Sequence, residues 1–131
     1  MRKTIFFILL VVLALTVVAC GGGGDDAGGA DAEAGKKLFA SAVIGTQAGC
    51  ITCHSLTPDE TIVGPSMAGI ASRAGSTVSG LSAEEYMRES ILTPDAHLVE
   101  TFPAGTMPQV WGDELSAEQL DQIVAYLLTL E

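Results

Sequence analysis

Apolar residues fall into one unbroken run near the start of the chain and three periodic stretches further on. Ile5 to Val18 carries no charge at all. From Gly35 onward, Leu38, Phe39, Ala42 and Val43 recur at helical spacing and predict a first helix. Ser82-Ala83-Glu84-Glu85 reads as a capping box, in which side chain and backbone satisfy each other's hydrogen bonds at a helix start. The helix it opens runs through Tyr86, Met87 and Ile91 until Pro94 ends it. A second box, Ser116-Ala117-Glu118-Gln119, opens a last helix with Leu120, Ile123, Val124, Leu127 and Leu128 on one face. Between these two helices, Thr101 to Pro108 holds too much proline and glycine to be helical.

The first apolar run has a different meaning. Arg2 and Lys3 precede it, small residues follow it, and its 14 residues fall short of the roughly 20 that span a membrane. Residues 1–19 therefore read as an export signal. Val17-Val18-Ala19-Cys20 resembles the lipobox of bacterial lipoproteins, which implies cleavage before Cys20 and a lipid on its thiol. Residues 20–34 continue as a Gly- and Asp-rich stretch with no large apolar side chain, expected to be a flexible tether reaching on the order of 50 Å when extended. Residues 35–131 are left for one domain, small enough that a cofactor in its core would add needed stability. Without the signal, four basic residues (Lys36, Lys37, Arg73 and Arg88) face sixteen acidic ones, a formal charge of −12, which argues against nucleic acid as a partner.

The candidate chemistry centres on Cys50-Ile51-Thr52-Cys53-His54, the C-x-x-C-H pattern of covalent haem attachment. Two thiols at this spacing can each add to one vinyl group of the same porphyrin, and the next side chain then lies under the iron. His54 would ligate through Nε2 and needs an acceptor for its other nitrogen. A thioredoxin-like pair would want a βαβ context, and a zinc site would want further ligands; the sequence offers neither.

With that motif in place, residues 35–131 resemble the class I, monohaem cytochrome c family. The resemblance implies an all-α fold of three to five helices wrapped around one covalently bound haem c. It implies thioethers on Cys50 and Cys53, and the Pro65 carbonyl of Gly64-Pro65 as acceptor for the His54 ring. It places Gly35, Phe39 and Tyr126 where the family's first and last helices cross. Thr101 to Pro108 is similar to the family's axial-methionine loop, which makes Met107 the expected sixth ligand and sets Phe102 in the haem pocket. Met67 is expected to pack on the porphyrin, Met87 to sit in the core, and His97 to be a solvated surface residue. Trp111 has two readings, a donor to a haem propionate or a filler between the methionine loop and the last helix. Residues 45–49 depart from the family pattern as a lengthened approach to the motif.

With both axial positions filled there is no open site for an organic substrate, and the chain has no second C-x-x-C-H, no copper-ligand cluster and no nucleotide-binding glycine motif. The expected role is electron transfer without catalysis, outside the cytoplasm, on a membrane reached through Cys20. The expected partners are membrane redox complexes: a quinol-oxidising complex, a terminal oxidase or a photosynthetic reaction centre. The segment from Glu89 to Met107 is similar to cytochrome domains attached to oxidase subunits. A haem-based sensor or small-gas binder with a labile sixth ligand is the alternative, and a lipoprotein with a Cys50–Cys53 disulfide is a third reading.

Overall fold

The computed structural model describes residues 30–131. The signal, Cys20 and most of the tether lie outside them. Helix α1 spans Ala32–Phe39 and begins where the Asp31 carboxylate accepts from the backbone N–H groups of Glu33 and Ala34. Residues 32–34, assigned above to the tether, thus form its first turn. This Asp cap works with an acidic first turn and two lysines in the last turn, a charge order that suits the helix dipole.

The expected continuation of α1 through Val43 does not occur. The helix stops at Phe39, Ala42 and Val43 are exposed, and the chain turns into a small antiparallel hairpin, β1 (Val43–Ile44) and β2 (Gln47–Ala48). Gly45 supplies the left-handed φ of +57° that its two-residue turn needs, and Ile44, not Val43, is the side chain buried. The hairpin closes on Gly49, whose N–H donates to the Ala42 carbonyl at 2.8 Å, and delivers the chain into a 3₁₀ turn at Cys50–Thr52.

After a loop over residues 53–69, α2 runs Ile70–Thr77, α3 Ala83–Leu92, α4 Trp111–Glu114 and α5 Ala117–Leu127. Both capping boxes form. Ser82 Oγ accepts from Glu85 N at 3.2 Å while Ser82 N donates to the Glu85 carboxylate at 2.8 Å. Ser116 and Gln119 make the same exchange at 3.1 and 2.9 Å. Pro94 follows the end of α3 as expected.

The core forms where α1 crosses α5. A Cβ on Gly35 would stand 1.8 Å from the Gln122 carbonyl oxygen, so the two backbones touch there because the residue has no side chain. Next to that contact the Phe39 and Tyr126 rings pack tilted, their centroids 5.6 Å apart. Ile123 and Val124 are almost wholly buried behind them, and Arg88 of α3 reaches Asp121 of α5 at 2.7 Å. Among the described residues the regular elements are helices apart from the four-residue hairpin and an isolated bridge between His54 and Thr61, in agreement with the all-α fold expected. None of their helices is long and apolar enough to cross a membrane.

Candidate haem site

The 3₁₀ turn folds the motif back on itself. The N–H groups of Cys53 and His54 both donate to the Cys50 carbonyl, at 3.1 and 2.9 Å, and the Thr52 hydroxyl donates to Gly49. Cys50 and Cys53 thereby come to the edge of one cavity as free, half-buried thiols. Burial pushes the Cys50 thiol up to about 11, a backbone hydrogen bond working the other way and the neighbouring Cys53 adding to the rise.

His54 is held from behind. Val63 and Gly64 donate their N–H groups to the Cys53 carbonyl at 3.2 and 2.9 Å, which brings the following residue, Pro65, beside the imidazole. His54 Nδ1–H donates to the Pro65 carbonyl at 2.8 Å. Gly64 packs against the ring so closely that a Cβ there would stand 2.6 Å from His54 Cε1. Burial lowers the His54 pKa, against the Pro65 hydrogen bond, which raises it. The imidazole is therefore neutral at ordinary pH, with Nδ1 committed and the Nε2 lone pair left for a metal.

The loop behind the histidine is itself braced. Arg73 of α2 donates to the carbonyls of Ser66, at 2.5 Å, and Ala68, while Met67 N donates to Ser55 at 2.8 Å. Ser55 is buried, and its hydroxyl donates to the Glu60 carboxylate.

The cavity measures about 380 Å³, within the ordinary range for small-molecule sites, and its walls are overwhelmingly apolar. His54 lies on its wall, and so does Met107, half-buried in the loop between α3 and α4. Met67 and the buried Met87 also line it, as does Phe102. Phe39 serves both cavity and helix crossing, whereas Gly35 and Tyr126 belong to the crossing alone. His97 departs from expectation: it is half-buried on the cavity wall, its Nε2 3.2 Å from the Glu89 carboxylate and its ring tilted over Tyr86. Glu89 sits one turn before the end of α3 and draws the imidazole inward.

Two buried polar atoms on this wall lack a partner among the described residues, Trp111 Nε1 and Ser90 Oγ. A buried indole N–H normally finds an acceptor, so the occupant of the cavity should bring a polar group as well as an apolar body. A porphyrin with its carboxylates has both, and thiols, imidazole and thioether are the donors that bind its vinyls and iron. The residues fit the group. Among the described residues, no cluster of three or more His, Cys, Asp and Glu side chains is placed to hold a bare metal ion.

Sequence reasoning did not anticipate Arg73 or Ser90 on the cavity wall. Arg73 had one available signal, being among the few basic residues of an acidic domain.

Comparison with curated proteins finds no match. The family model described as cytochrome c matches residues 32–131, from the first residue of α1 to the end of the chain. The chain belongs to the cytochrome c family, and its cofactor is one covalently bound haem c.

Proposed function

We propose that the protein is a membrane-anchored monohaem cytochrome that carries single electrons between membrane redox complexes on the outer side of a bacterial-type membrane. In this reading Cys50 and Cys53 hold the thioethers, His54 and Met107 take the axial positions, and Cys20 carries the lipid. The observation that carries it is the 2.8 Å bond from His54 Nδ1 to the Pro65 carbonyl, on a cavity whose wall also holds Met107. The bond fixes the tautomer and ring orientation that an axial histidine needs and raises its basicity toward the metal.

The haem iron supplies one reversible electron when bound. The protein's own residues set the conditions. Pro65 and Gly64 keep His54 from turning, and the apolar walls from α1, α3 and α5 exclude water. Trp111 Nε1–H, buried without a partner among the described residues, would donate to a carboxylate of the group. At the mouth, Val63, Leu98 and Val99 line the cavity while remaining 48, 52 and 41 % exposed, which gives a partner an apolar contact close to the redox centre. Nearby acidic side chains such as Asp95 and Glu100 favour a basic rim on that partner. A quinol-oxidising complex, a terminal oxidase or a photosynthetic reaction centre would meet that description.

The test is Met107→Ala. The variant should keep its covalent haem, lose the methionine-to-ferric-iron charge-transfer band, fall in reduction potential and gain carbon monoxide binding in the ferrous state. Met67→Leu should leave all of these as they were. A band that survives Met107→Ala and disappears in Met67→Leu or Met87→Leu defeats the ligand assignment. Carbon monoxide binding by the unmutated protein would transfer the reading to a small-gas sensor.

A further inference from the structure

The two sides of the cavity come from distant parts of the chain: the hairpin and motif from residues 43–54, the methionine segment from the loop ahead of α4. Among the described residues, every hydrogen bond joining residues 41–54 to residues 93–116 ends on one carboxylate, that of Glu114 at the last position of α4. Thr46 donates to it twice, from its backbone N–H at 2.9 Å and from its hydroxyl, and Gln47 Nε2 approaches at 3.5 Å. The contact has been built for closeness, since a Cβ on Gly45 would stand 1.9 Å from Glu114 Oε2. Neither end is loose. Gln47 and Ala48 belong to β2, two residues ahead of Cys50, while α4 starts with the buried Trp111, four residues beyond Met107.

We infer that Glu114 is a positioning residue for electron transfer, holding the methionine-bearing segment at a fixed distance from the haem-attachment turn. This rests on the reading of Met107 as sixth ligand only in its effect on the iron; the mechanical tie between the two segments stands apart from it. Hydrogen bonds to a charged acceptor are individually stronger than neutral ones, and the two from Thr46 and the longer one from Gln47 end on the same carboxylate. Their exposure to solvent limits the effect to modulation of the segment, short of unfolding the domain.

The experiment compares haem-loaded wild type with Glu114→Ala, Thr46→Val and Glu114→Gln, using Glu118→Gln as an equal charge change elsewhere. The first readout is amide hydrogen exchange, which does not depend on which side chain ligates iron. Glu114→Ala should speed exchange at residues 43–49 and also at residues 105–112, roughly tenfold in each. Thr46→Val, which keeps the carboxylate, should do the same to a smaller degree, and Glu114→Gln, which keeps an acceptor, should lie between. The second readout is the rate of carbon monoxide binding to the ferrous protein, expected to rise with exchange across the series. Faster exchange at residues 43–49 alone overturns the inference, and so does a change of equal size in Glu118→Gln. If exchange rises at both segments while carbon monoxide binding stays flat, the tie holds and the Met107 ligand reading is what fails.

Discussion

Replacing Gly35 with alanine sets two effects of opposite sign against each other. Gly35 lies in the middle of α1, where alanine is the better helix former by about 1 kcal/mol. Its new Cβ, however, would stand 1.8 Å from the Gln122 carbonyl oxygen, 2.4 Å from the carbonyl carbon and 3.0 Å from Tyr126 Cβ. The first two are backbone atoms of α5 and cannot swing aside as a side-chain tip would. Relief requires the helices to separate, and separation loosens Phe39, Ile123 and Tyr126, which are 2, 1 and 6 % exposed. Overpacking of a close-packed core costs about 1–3 kcal/mol, and a clash with backbone belongs at the upper end of that range. The net is a loss of about 2 kcal/mol, a large share of the stability of a domain this size. That corresponds to a melting temperature lower by on the order of 10 °C. Thermal unfolding of the haem-loaded protein, followed by far-ultraviolet circular dichroism, measures it. A Gly35→Ala protein that melts at or above the wild-type temperature would refute the reasoning, because helix propensity would then have outweighed the contact.

Three further outcomes follow from other parts of the structure. Gly64→Ala should push the His54 ring away from the Pro65 carbonyl, raising the reduction potential as the ligand loses basicity and lowering the melting temperature; potentiometric titration that finds no rise speaks against the role given to that bond. The Thr46 hydroxyl and amide, and more weakly Gln47, hold the Glu114 carboxyl below its ordinary value against a small opposing effect of burial. The stability it contributes is therefore complete above the unfolded-state value and lost as pH falls through the lower folded one, so the melting difference between wild type and Glu114→Gln should shrink on acidification; a difference that widens in acid reverses the sign and removes the account. Cys20→Ser should release an otherwise haem-loaded protein from the membrane fraction, and retention there after equal processing would exclude the lipid anchor.

Much of the site could be read in the sequence because its determinants are local. Ser82 with Glu85, and Ser116 with Gln119, announce helix starts through side chains three residues apart, and both boxes form. The C-x-x-C-H turn and the Gly-Pro eleven residues on are likewise short-range, and the His54–Pro65 bond follows. What the sequence hid depends on distant contacts. Ala42 and Val43 fit helical spacing as well as they fit a strand, and only the turn at Gly45 and the closure at Gly49 decide the matter. Helix α2 begins at Ile70 after an N-cap, Gly69, that has no side chain to cap with, and it buries only Ile70 and Ala74, so neither its start nor its period stands out. His97 is drawn inward by Glu89, eight residues earlier, and Glu114 meets Thr46 across 68 residues with no pattern to announce it.

The crossing of α1 with α5 pairs the first element of the domain with its last. A chain that emerges N-terminus first, from the ribosome or from a membrane channel, cannot complete this interface until Leu127 has cleared the exit. Cys50, Cys53 and His54 emerge some seventy residues sooner. Contacts of such long sequence separation also carry a loop-closure cost that must be met before packing rewards it. The topology thus delays closure of the domain until its last helix is available, while the motif that takes haem has already been made.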